Sequence, residues 1–377
     1  MKNFLCIFIA FVMIFSLAAC SAPQEAEQSS SAPEESASAP ESSAAEPEAP
    51  AEPEEPAEPQ PEPFVWQYDL PENQGADGDA LASLHATYDS FPMHSAVVVK
   101  NGVVIDTYYE DGYDENSTFA VHSVSKSLTS ALIGIAIDEG YISGVDEPLS
   151  DYFPEILEFE DSRWADITLW HLLTHTSGMV STDHYDWDGW RSSDDWVEYI
   201  FSYPLNSTPG AVFDYSTGNT HLLSAVLEKA TGEKFGDYAA EKLLNPLGMA
   251  SATVGVDPQG IGDGGNGFVM TTLDMARFGL LFANGGVWHG EQVVPAAWVE
   301  ESTGARFVRD GHTCDYGYQW WVRTFNKHPA YFAQGWAGQF IFVVPELSLV
   351  IAITSDYTGS SNVYWQIARD IVLACEE

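Results

Sequence analysis

Basic residues are scarce in this chain of 377: Lys and Arg number 14 against 56 Asp and Glu, a formal net charge of −42 at pH 7. A surface of that sign repels phosphate backbones, which excludes nucleic acid as a partner. Its ordinary use is solubility outside the cytoplasm; attraction of cationic substrates is the less common alternative. Cysteine is scarce too. Of four, two lie in the first twenty residues, leaving Cys314 and Cys375 for the body. Two cysteines build no disulfide framework, and no Cys/His spacing matches a zinc site. Long apolar runs are confined to Phe4–Ala19, broken only by Ser16, which is shorter than the roughly 20 residues of a spanning helix.

That run follows Lys2 and reads as an export signal over residues 1–19. It ends in Leu17-Ala18-Ala19-Cys20, which resembles the bacterial lipobox. The resemblance implies that Cys20 is lipidated and anchors an extracytoplasmic protein to the membrane. Residues 20–63 then hold almost nothing but Ser, Ala, Pro and Glu, with twelve Glu and no Lys or Arg after Cys20. A segment without aliphatic or aromatic residues to bury cannot form a core and is expected to be disordered. At about 3.1 Å per residue, a stalk of this kind would reach on the order of 100 Å.

The body is expected over 64–377, where 45 % hydrophobic content across the whole chain is ample for a packed core. Met93 to Tyr109 reads as a hairpin, with Asn101-Gly102 between β-branched runs. Ser127 to Glu139 reads as a helix apolar nearly all round, which belongs in a core. Residues from about 140 to 310 are mostly helix and loop. Strands return at 317–323, 331–333, 339–344 and 348–354, before a closing helix over 362–374. Strands at both ends around a helical middle predict an α+β fold, one antiparallel sheet built from both termini with a mainly helical insertion.

Ser123-Val124-Ser125-Lys126 lies where the strand-like Thr118–Val121 passes into the long helix. Spacing i, i+3 puts Ser123 and Lys126 on one face, and a helix N-terminus favours a developing anion. A Lys in an apolar setting loses affinity for its proton and can serve as a base. Alone, the tetrad reads equally well as a capping Ser and a surface Lys.

Together with Gly134 to Gly140, Ile167-Thr168-Leu169, Leu172-Leu173-Thr174-His175-Thr176-Ser177-Gly178, Pro246-Leu247-Gly248-Met249 and the segment Thr272 to Gly279, it resembles the serine β-lactamase and penicillin-binding-protein superfamily. The likeness spans about 90 to 375. It is greatest to the class C-like branch, which includes esterases, D-aminopeptidases and 6-aminohexanoate-oligomer hydrolases. The resemblance implies a β-lactamase-like fold, Ser123 as nucleophile, and Lys126 with Tyr215 as its proton acceptors. Tyr215-Ser216-Thr217-Gly218-Asn219 stands where Tyr-x-Asn is usual. Thr217 replaces the Asn, and Asn219 is the candidate polar contact. No Lys-Thr-Gly occurs; Ala333-Gln334-Gly335-Trp336 corresponds. There the Trp336 N–H would join that of Ser123 in an oxyanion hole, with Gln334 and Gly335 beside the substrate. The missing Lys removes the cation that would hold a substrate carboxylate.

Other polar residues read as structural. His122 is surplus to the Lys/Tyr pair. His171 and His175 are spaced i, i+4 but lack a third ligand, so no metal and no cofactor is expected. Tyr185 and Trp187 of the acidic, aromatic loop are candidate walls of the site. The expected enzyme is a monomeric, membrane-anchored serine hydrolase of a small ester, amide or short peptide. The rivals are a D,D-carboxypeptidase or β-lactamase, and a non-catalytic penicillin-binding sensor lipoprotein.

Overall fold

The computed structural model describes residues 64–376. Cys20, the signal run 1–19 and the acidic segment 20–63 lie outside the described residues.

The strands, in chain order, are β1 (Met93–Lys100), β2 (Val103–Tyr109), β3 (Thr118–Ala120), β4 (Thr253–Val254), β5 (Phe268–Thr271), β6 (Val287–Trp288), β7 (Glu291–Gln292), β8 (Asp315–Tyr316), β9 (Trp321–Phe325), β10 (His328–Gly335), β11 (Gln339–Val344) and β12 (Leu349–Ser355). The helices are α1 (Gly78–Tyr88), α2 (Ser125–Asp138), α3 (Leu169–Leu173), α4 (Trp187–Ser192), α5 (Trp196–Phe201), α6 (Thr217–Thr231), α7 (Phe235–Ala239), α8 (Thr272–Ala283), α9 (Ala296–Thr303) and α10 (Asn362–Ala374).

Seven strands form one antiparallel sheet in the order β2-β1-β12-β11-β10-β9-β8. The N-terminal hairpin therefore closes against the C-terminal strands, with Val97 opposite Ala352 and Val99 opposite Val350. β1 is buried along its whole length, and its side chains alternate between two cores. Val97 and Val99 face the core shared with α2, α6 and α8, whereas Ala96 and Val98 face the one covered by α1 and α10. In α10 the buried residues Tyr364, Ile367, Ala368, Ile371 and Val372 follow a helical stripe.

The helical middle packs on the first core. α2 is buried from Ser125 to Ala136. Its hydroxyls need partners there, because an unpaired buried polar group costs about 1–3 kcal/mol. Ser127 donates to Gln319 O at 2.7 Å, Thr129 donates to Gly264 O at 2.8 Å, and Ser125 accepts from Phe268 N at 3.1 Å. The last two bonds fix the start of α2 against residues 263–268, and the first ties it to Gln319. A second sheet, β3-β5-β4, pins the strand that leads into α2.

Candidate active site

Ser123 sits in a single 3-10 turn, His122–Val124, between β3 and α2. The chain enters that turn through His122 at φ +49°, a left-handed conformation that His tolerates better than most residues. Val121 N–H donates to Phe268 O at 3.0 Å, and Val121 O crowds β10. A Cβ on Gly335 would stand 2.3 Å from that oxygen. Gly335 thus permits two backbones to meet beside the nucleophile.

Lys126 lies one turn below Ser123, almost wholly buried. Its Nζ is 2.9 Å from Ser123 Oγ, 2.9 Å from Thr217 Oγ1 and 2.8 Å from Gly265 O. Desolvation brings its pKa down to about 8; the carboxylates of Asp183 and Asp263 oppose the shift and Arg191 assists it. A Cβ on Gly265 would lie 2.7 Å from Thr217 Cγ2, so only Gly lets that carbonyl reach the amine.

The Tyr215 ring centroid lies 5.0 Å from Lys126 Nζ, between the rings of His175 at 4.5 Å and Trp321 at 5.8 Å. Burial holds the phenol well above its usual pKa, and Asp183 adds to the shift; a hydrogen bond with Ser123 opposes it. Tyr215 is therefore a neutral phenol at pH 7. His175 brackets it: His175 O accepts Asp214 N–H at 2.8 Å, and Nδ1 accepts Ser216 N–H at 3.4 Å. Burial keeps that imidazole neutral, as an accepting Nδ1 requires.

A cavity of about 490 Å³ opens over Ser123, lined by His122, Asp183, Trp187, Asn266 and Trp336. None of its lining residues is Lys or Arg. The Trp336 indole is 64 % exposed and meets the His122 ring edge-on at 5.4 Å. Trp187 starts α4, which is tied to the floor of the site through Arg191. That guanidinium lies 3.9 Å over the Trp196 ring and pairs with the buried Asp263 at 2.7 Å.

Ser123, Lys126, Tyr215, Trp187 and Trp336 thus come together, and Ser125 points away to Phe268. Three expected contacts do not converge there. Asn219 is buried in α6 and accepts from Ser177 Oγ at 3.0 Å, so it is not a substrate contact. It lies about 200° around the helix from Thr217, which meets Lys126 instead. Tyr185 is 66 % exposed and meets the Tyr203 ring edge-on at 5.1 Å rather than lining the cavity. Gln334 borders a separate hollow of about 250 Å³ with Gly335, Tyr357 and Tyr364; Trp336 is the residue common to both hollows. His122 lines the cavity; burial lowers its pKa, while a hydrogen bond it donates to Asn266 opposes the shift. Asp183 and Asn266 went unread as site residues. The glycine run around Asn266 was the available signal, since close backbone approach needs it.

His171 Nδ1 accepts Thr168 N–H at 3.0 Å and caps α3, so it does not converge with His175. Among the described residues no group of three or more His, Cys, Asp or Glu is placed to hold a metal ion. Cys314 and Cys375 are both buried and free.

The chain is 28 % identical over 294 residues to the 6-aminohexanoate-dimer hydrolase of Paenarthrobacter ureafaciens, covering 71 % of this chain and 74 % of that one. It is 27 % identical over 187 residues to the D-alanyl-D-alanine-carboxypeptidase/endopeptidase AmpH of Escherichia coli (strain K12), covering 46 % of this chain and under half, 48 %, of that protein. A class C beta-lactamase from Rhodobacter sphaeroides shares the fold, with a TM-score of 0.63 at 16 % identity, over 78 % of this chain and 98 % of that one. The family profile described as Beta-lactamase matches residues 81–373, and the chain belongs to that family of serine hydrolases.

Proposed function

We propose that this chain is an extracytoplasmic, membrane-anchored hydrolase that opens a neutral ester or amide through a Ser123 acyl-enzyme. The observation that carries the choice of substrate is the cavity over Ser123, walled by Trp187 and Trp336 and without Lys or Arg. A substrate carboxylate finds no cation there. A relative that carries 6-aminohexanoate dimer in its name is consistent with amide chemistry. The anchor rests on the lipobox-like stretch ending at Cys20.

Lys126 Nζ takes the Ser123 proton as Oγ attacks the carbonyl carbon. The N–H groups of Ser123 and Trp336 are the donors assigned to the oxyanion. Tyr215, held as a phenol, gives its proton to the leaving oxygen or nitrogen and regains one from the Lys126 ammonium. Water then enters, loses its proton to the same pair, and releases the acid and Ser123.

The test is a substrate panel: p-nitrophenyl butyrate, an N-acyl p-nitroanilide and nitrocefin. Cleavage of the ester or anilide with nitrocefin turned over at least ~10-fold more slowly supports the reading, since a lost charged hydrogen bond is worth about one to two decades. Efficient nitrocefin turnover with negligible ester and anilide cleavage overturns it in favour of a β-lactamase. A penicillin adduct that never turns over would establish the sensor. For the anchor, Cys20→Ala should abolish incorporation of a fatty-acid analogue, and unchanged incorporation would remove lipidation at that position.

A further inference from the structure

Lys126 has three polar neighbours, and what each can accept or donate decides where its lone pair points. Gly265 O is a carbonyl and can only accept. Thr217 Oγ1 is a hydroxyl and can do either. Its single proton is committed, because Thr217 Oγ1 donates to Asp183 Oδ1 at 2.8 Å. With that proton held, the Thr217 oxygen can only accept from Lys126 Nζ.

A neutral amine has two N–H bonds and one lone pair. Gly265 O and Thr217 Oγ1 take the two N–H bonds, and the lone pair is left for the remaining neighbour, Ser123 Oγ, at 2.9 Å. An ammonium has three N–H bonds and satisfies the same three oxygens. Both protonation states therefore fit without a side chain moving, provided the Thr217 proton stays on Asp183. If it turned toward Nζ, the lone pair would be drawn to Thr217 and away from Ser123.

Asp183 is itself fixed. Its Oδ2 accepts the Thr217 backbone N–H, and the neighbouring Thr182 Oγ1 accepts Gly218 N–H at 3.0 Å. A loop more than thirty residues upstream thus caps α6 and sets the hydroxyl orientation of its first residue. Ser216, which precedes the helix, makes no side-chain cap of its own.

We infer that Asp183 is a positioning residue: by holding the Thr217 proton it makes Thr217 an obligate acceptor, which aims the Lys126 lone pair at Ser123. This rests on Ser123 as nucleophile and Lys126 as its base. An Asn at 183 can present its NH₂ to Thr217 and free the hydroxyl proton. An Asn at 217 has a carbonyl that accepts from Lys126 with no proton to misdirect, and an NH₂ for residue 183.

The test measures the second-order rate of fluorophosphonate labelling at Ser123, against pH, in the full chain. A positioned base contributes roughly 10²–10⁴ in rate. Asp183→Asn should therefore cost at least ~10-fold with Thr217 present and less than ~3-fold in a Thr217→Asn background, non-additivity that marks a shared path. The acid limb supplies a second reading. Charged groups acting on Lys126 come from the 183 loop (Asp183), the 263 loop (Asp263) and α4 (Arg191), with neutral Tyr215 and His175 beside it. Loss of the Asp183 charge moves the limb to lower pH, which a lost helix cap alone would not do.

Equal losses in both backgrounds with an unmoved limb would reduce Asp183 to a cap and overturn the inference, as would an Asp183→Asn rate within ~3-fold of the unsubstituted chain. Should the Thr217→Asn chains fail to fold, the rate and limb of Asp183→Asn decide alone. Absence of any Ser123 adduct in the unsubstituted chain would overturn the nucleophile reading itself, a result distinct from a labelled but Asp183-indifferent enzyme.

Discussion

Lys126 is buried without a carboxylate in direct contact, which is why desolvation outweighs the more distant Asp183 and Asp263 in setting its pKa. An amine that titrates near 8 is a proton acceptor only above that value. Below it the ammonium form dominates and Ser123 keeps its proton. The dependence of kcat/KM on a neutral ester should therefore rise with pH through an acid limb near 8, falling about tenfold per unit below it. A flat profile between pH 6 and 8 would take the base role away from Lys126. Tyr215 adds no limb in this range, because its phenol stays protonated. Ser123→Ala should abolish fluorophosphonate labelling, and peptide mapping of the unsubstituted chain should place the adduct on Ser123. An adduct on Ser125 or Ser177 would displace the nucleophile. The convergence of Ser123, Lys126 and Tyr215 was legible in the sequence because it follows local spacing and a recognisable motif order. Asn219 was misassigned because a helix turns about 100° per residue: the contact made by Thr217 cannot be inherited by a residue two places on. Asp183 was invisible as a site residue because its partner lies 34 positions away.

At the scale of elements, the hairpin Met93–Tyr109, the strand Gln339–Val344 and the helix Asn362–Ala374 were readable because turn chemistry and side-chain period are local properties. β10 was read too short, as 331–333. Strand length there is set by pairing with β9 and β11, which no local pattern records. α1 and α9 went unread, and so did the pairing of β3 with β5 that seats the nucleophile turn. α4 shows how an element with little local reason to form is held. It spans six residues, starts on an Asp186 cap to Gly189 N–H at 3.0 Å, and is fastened by Arg191. Removing that guanidinium leaves Asp263 buried and unpaired and uncovers Trp196. Arg191→Ala should therefore destabilise the fold by about 3 kcal/mol, read as a lower urea midpoint. Arg191 also lowers the Lys126 pKa, so its loss moves the acid limb of the ester reaction to higher pH, opposite to Asp183→Asn. A variant as stable as the parent with an unmoved limb would show that α4 is held by other contacts.

At the scale of the molecule, the formal charge of −42 and a cavity with Asp183 but no Lys or Arg act in the same direction at different ranges. The long-range field repels any anion approaching the site, and salt screens it: the Debye length shrinks from about 30 Å at 0.01 M to about 10 Å at 0.1 M. The missing cation is a contact effect and is hardly screened. Two esters that share a leaving group and differ by one carboxylate separate these effects. With p-nitrophenyl butyrate and the p-nitrophenyl half-ester of succinic acid, kcat/KM for the neutral ester should stay within about twofold across that salt range, because it carries no charge for the field to act on. The anionic ester should be slower at low salt and should recover part of the gap as salt rises. The part that remains at high salt, about one to two decades for an absent charged hydrogen bond, reports the local chemistry of the cavity. A gap indifferent to salt would mean that the surface charge does not reach Ser123. A preference for the anionic ester would mean that some residue outside the cavity walls supplies a cation, and the neutral-substrate reading would then have to be abandoned.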